Sequence, residues 1–121
     1  MKLIAFIFCI GSFILGDTVD TFSWNSTDFD FGEITQNIPV TATYELTNNS
    51  DIPLVIEHVK VGCGCTTSNY EKEAIQPGAT TVIEAIYNAK KVGKFNKTAS
   101  VTTNLSDEPT VLRFEGEVMS M

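Results

Sequence analysis

Cys63-Gly64-Cys65 is the one place in this chain where residue type and spacing together suggest chemistry. Residues two apart on an extended strand point the same way, so parity sets Val59, Val61, Cys63 and Cys65 on one stripe, opposite Lys60. Three readings follow. Free cysteine is often buried and packs as a small hydrophobe, so core filling ranks first. A Cys63–Cys65 disulfide ranks second. It wants Cβ atoms ~3.8 Å apart, closer than i,i+2 positions on an extended strand, although Gly64 can turn the backbone to relieve this. A strained bridge is readily reduced and suits a redox role. Paired thiolates also attract copper(I) or zinc, with His58, Met119 and Met121 as weak candidates for further ligands. Two ligands do not close a structural site, so metal ranks last and no cofactor is expected.

Other catalytic arrangements lack parts. His58 is the only histidine, and no Ser or Cys stands in a recognisable nucleophile motif around it. The acidic pairs Asp28/Asp30, Glu71/Glu73 and Glu115/Glu117 are spaced i,i+2, which on strands gives solvated charges sharing an exposed face. No phosphate loop, zinc-finger spacing or calcium loop is present. The chain reads as a protein without enzymatic activity.

The elements that must position the cysteines begin after a distinct amino-terminal segment. Met1-Lys2 is followed by an apolar run from Leu3 to Leu15, too short to span a bilayer, and then by Gly16. This is the form of a secretory signal peptide over residues 1–16, cut after Gly16. Cys9 follows bulky Phe8, which does not fit lipid attachment. Removing Lys2 with the leader leaves seven basic and fifteen acidic side chains, a net charge of −8. Such a chain repels phosphate backbones and excludes a nucleic-acid role. Export implies a periplasmic, outer-surface or extracellular location, with no membrane insertion once the leader is lost.

Beyond a short polar lead-in at residues 17–26, apolar positions alternate and turn signals recur about every ten residues. Val40 to Leu46 is the cleanest period-2 run. Asn48-Asn-Ser-Asp51 and Pro77-Gly78 supply turns. Apolar parity changes between Ile56 and Val59, which predicts a bulge at Glu57-His58. Lys90-Lys-Val-Gly-Lys94 reads as an exposed basic turn, and Leu112, Phe114, Gly116 and Val118 share a face of the last strand. The expected fold is all-β, an immunoglobulin-like β-sandwich of about seven antiparallel strands over residues 27–121. Its core should hold Tyr44, Leu46, Phe95, Leu112 and Phe114.

An ordered set of segments resembles the bacterial family called domain of unknown function 1573. The segments are Phe29-Asp-Phe-Gly-Glu-Ile34, Tyr44-Glu-Leu-Thr-Asn48, Asn49-Ser-Asp-Ile-Pro-Leu54 and Val61-Gly-Cys-Gly-Cys-Thr66. Ile75-Gln-Pro-Gly78, Gly93-Lys-Phe95 and Phe114-Glu-Gly-Glu-Val118 complete it. The resemblance covers about residues 28 to 118. The family is similar to Hydin-type immunoglobulin-like domains, which implies a β-sandwich of an exported or cell-envelope protein. It transfers no activity, no partner and no role for the cysteines. With a bacterial source, the Asn-x-Ser/Thr triplets at Asn25, Asn48, Asn96 and Asn104 read as turn and strand residues, not glycan acceptors.

Two function classes follow. The first is a non-enzymatic interaction module binding a protein or cell-envelope partner through exposed strand edges. The alternative is a thiol-based redox or copper-handling protein using Cys63-Gly64-Cys65. Exposure separates them, because thiol chemistry must present at least one sulfur.

Overall fold

A segment that alternates as Val40-Thr-Ala-Thr-Tyr-Glu-Leu46 does can bury one side only as a strand, and a half-buried strand needs a second apolar layer. The computed structural model describes residues 21–62 and 64–120 and shows how that layer is supplied. The expected leader, Cys63 and Met121 lie outside the described residues. The strands are β1 (Phe22–Trp24), β2 (Asp28–Thr35), β3 (Val40–Asn48), β4 (Ile56–Val61), β5 (Thr66–Asn69), β6 (Thr80–Tyr87), β7 (Gly93–Thr103) and β8 (Thr110–Met119). They form two four-stranded sheets, ordered β1-β3-β6-β5 and β2-β8-β7-β4. No described residue is helical. This is the expected β-sandwich, and Tyr44, Leu46, Phe95, Leu112 and Phe114 are all in its core.

The count and one strand direction differ from expectation. Eight strands form among the described residues; β5 follows the cysteine turn, where no strand was placed, and β1 falls in the segment read as a polar lead-in. Phe22 and Trp24 pack against the core, so the domain begins earlier than residue 27. Three residues are too few to display a period of two. After β1 the chain crosses at Asn25-Ser-Thr27 to the other sheet, where β2 pairs parallel with β8; the remaining pairs are antiparallel. Alternation reports which side is buried but carries no information about strand direction.

Both irregularities in the second sheet have local causes. The register of β4 against β7 shifts between Ile56 and His58, where apolar parity changed. That of β2 against β8 shifts between Asp30 and Glu33, around Gly32 at φ +70°. Gly116 faces this bulge. A Cβ there would stand 2.8 Å from the Gly32 carbonyl oxygen and 2.9 Å from Phe95 Cζ, so the residue has no room to be anything larger.

Asn48 anchors the loop end near Pro77. Fully buried, its Nδ2 donates to the carbonyls of Ile52 and Ile75, each at 2.8 Å, and its Oδ1 accepts from Ser50 N–H and Oγ. Asn25 and Asn104 likewise bond backbone, and Asn96 Nδ2 donates to Glu115. This agrees with their reading as turn and strand residues.

Candidate functional site

The β4 strand ends at Val61, and the chain turns through Gly64 and Cys65 before entering β5 in the opposite sheet. Cys65 therefore sits where the chain passes from the edge of one sheet to the edge of the other. The stripe drawn from parity stops at Val61, where the strand ends. Val59, Val61 and Cys65 do pack against the core, so the inward facing survives without the extended strand.

Cys65 is half-buried and disulfide-bonded, its partner lying outside the described residues. Packing as a free thiol, the first-ranked reading, is thus corrected for this residue. Its sulfur lies 3.8 Å from the hydroxyl of buried Thr66. Asn88 N–H donates to its carbonyl at 3.0 Å, which ties the turn to the β6–β7 loop.

His58 and Met119 are not gathered around it. His58 is exposed on the outer face of β4, opposite Thr102, and Met119 is exposed at the end of β8, beyond β7. Met121 is outside the described residues. Among the described residues, no three of His, Cys, Asp and Glu are grouped as metal ligands.

The turn belongs to a larger assembly. Pairing sets Thr66, Tyr87 and Val40 side by side, and Met119 beside Thr35, so the β2–β3, β4–β5 and β6–β7 loops meet at one end of the sandwich. Asn37 N–H donates to the Ala89 carbonyl and Gln36 N–H to that of Met119, both at 2.9 Å. Gln36 Nε2 donates to the Lys90 carbonyl at 3.0 Å. Left-handed backbone at Asn37 (φ 69°), Ala89 (φ 57°) and Gly93 (φ 122°) shapes this end. Such a conformation is ordinary for asparagine and glycine but costs an alanine about 1 kcal/mol. Beneath, Tyr87 stacks on Phe95 with ring centroids 4.4 Å apart.

This end presents three exposed apolar side chains, Ile38 (56% exposed) and Val92 (49%) from loops and Met119 (41%) from the end of β8, with Lys90 and Lys91 in the same loop as Val92. The basic turn was visible in the sequence. Its apolar company was not, because Ile38 and Met119 arrive from distant segments.

The strand edges give less than expected. β1 has three residues and β5 four, while β2 and β4 are bulged; short and bulged edges resist pairing with another chain. On the outer face of the second sheet, Asp30 pairs with Glu115 and Glu33 with Glu117 around an open depression of about 580 Å³ that Lys94 also lines. Glu115 and Glu117 share this open face, as their i,i+2 spacing implied, and Asp30 and Glu33 join them across the β2–β8 pairing.

The family model for "Protein of unknown function (DUF1573)" matches residues 22–118. The chain belongs to the DUF1573 family. The segments that carried the resemblance prove to be structural: the Gly32–Gly116 contact, the Asn48 anchor and the sheet-to-sheet turn. This DUF1573 chain also shares its fold with distant solved structures. A protein of unknown function from Porphyromonas gingivalis W83 matches with a TM-score of 0.68 at 17% identity, over 80% of this chain and 46% of that one. This chain thus spans about half the length of that protein. PapD-like domain 7 of human CEP192 gives 0.70 at 7% identity, over 91% and 96% of the two chains. The YadV chaperone gives 0.55 at 13%, over 84% and 52%. At these identities the likeness shows the fold alone. Comparison with curated proteins finds no match.

Proposed function

We propose that this DUF1573 chain is an exported, non-enzymatic interaction module of the bacterial cell envelope or the extracellular space. One observation carries the reading: Ile38, Val92 and Met119 stay exposed at a loop end held by cross-loop hydrogen bonds. Water-exposed apolar groups clustered on a rigid support mark binding surfaces. The apolar segment at residues 3–15 supports export. Protein from the native host should lack residues 1–16 by intact mass. A photo-crosslinking residue carried in turn at exposed positions across both sheets and both ends should yield a discrete adduct from at least one. Retention of Met1 in the mature product excludes cleavage, and the absence of adducts from every position overturns the interaction reading.

Thiol-based redox or copper chemistry at Cys63-Gly64-Cys65 is the second reading, favoured by the disulfide at half-buried Cys65. Equilibration with glutathione buffers tests it. A reduction potential above about −230 mV supports exchange chemistry, whereas one below about −300 mV marks a structural bond.

A further inference from the structure

We infer that the loop end formed by Ile38, Lys90, Lys91, Val92 and Met119 docks a protein segment bearing both acidic and apolar side chains. The inference rests on the interaction reading and names the partner's chemistry. Three of the six large apolar side chains exposed among the described residues occur here: Ile38, Val92 and Met119. The other three, Ile52, Val82 and Val111, lie elsewhere on the surface. Hydrogen bonds from Asn37 to Ala89 and from Gln36 to Lys90 and Met119 hold the contributing segments together, so a partner meets a prearranged surface and little ordering entropy opposes docking.

Charge selects among partners. The chain is acidic overall, yet Lys90 and Lys91 adjoin at the tip of this end, and neither makes an ion pair with the described residues. Lys94, by contrast, lies opposite Glu117 and lines the acidic depression. The chain's net charge of −7 opposes a broad anionic membrane surface, whereas a short acidic segment needs only the two lysines. The blunted strand edges also disfavour strand addition, which leaves side-chain docking at the loops.

The test uses protein purified from the native host and three probes. These are a fluorescent eight-residue peptide alternating aspartate and leucine, its lysine–leucine counterpart, and phosphatidylglycerol vesicles. The aspartate–leucine peptide should bind saturably and shift the amide resonances of residues 36–38 and 88–92. A Lys90→Glu/Lys91→Glu double variant and a Val92→Asp variant should each weaken it by about tenfold or more, while Val82→Asp leaves it unchanged. All these side chains are exposed, and circular dichroism verifies that the variants fold. Equal binding of the lysine peptide, insensitivity to the tip variants, preference for vesicles or absence of saturable peptide binding each overturns the inference. Photo-crosslinks at other faces alongside a failed peptide assay would reject this partner alone; their absence everywhere rejects the interaction reading itself.

Discussion

Tyr44 joins the two sheets with a single hydroxyl. From β3 it donates to the Arg113 carbonyl on β8 at 2.7 Å, and burial, with the nearby Asp28 carboxylate as a second cause, pushes its pKa up from 10.0 to about 12. The fold therefore favours the neutral phenol. Its contribution to stability is complete below pH 10 and is lost as the pH rises toward 12. Tyr44→Phe should cost about 1 kcal/mol near neutrality by removing this hydrogen bond between the sheets. It should also remove part of the wild-type stability loss between about pH 9 and 11.5, measured as the urea midpoint at each pH. An equal loss in both proteins would show that Tyr44 is not the titrating group. Asn48 is the other residue on which distant segments converge. Asn48→Ala removes its two donated bonds, although the Ile52 and Ile75 carbonyls retain the Ser50 hydroxyl and Leu54 N–H, and should cost about 1–3 kcal/mol in denaturant unfolding.

At the scale of elements, β2 and β8 lie as close as they do because Gly116 has no side chain. Gly116→Ala must push back the Gly32 carbonyl or the Phe95 ring, and Phe95 is already held by Tyr87 and Phe114. A cost of about 1–3 kcal/mol is expected, with changed near-ultraviolet circular dichroism from the aromatic cluster. Ala89 shows the opposite balance in the β6–β7 loop. Fully buried with φ 57°, it has a backbone that glycine adopts without strain and a β-branched residue does not. Ala89→Gly should stay within about 1 kcal/mol of wild type by thermal unfolding, whereas Ala89→Val should lose more than about 2 kcal/mol. A harmless valine would refute the left-handed assignment.

Across the whole molecule, the turn holding disulfide-bonded Cys65 carries the chain from one sheet's edge to the other's. A reducing agent should lower the wild-type Tm and leave Cys65→Ala unmoved, as scanning calorimetry of both proteins would reveal; equal responses would mean the bond does not stabilise the fold. The sandwich, its inward residues and the bulge at Glu57-His58 were legible in the order of residues alone, because alternation is a local consequence of burying one side of a strand. The parallel β2–β8 pairing, the place of β1 and the gathering of Ile38, Val92 and Met119 at one end emerged only from the folded chain. These depend on strand direction and on contacts between segments far apart in sequence, which period and parity do not encode. The cysteines fall between the two. Their inward facing was legible for Cys65, but parity holds only while the backbone stays extended, and the turn after Val61 ended it.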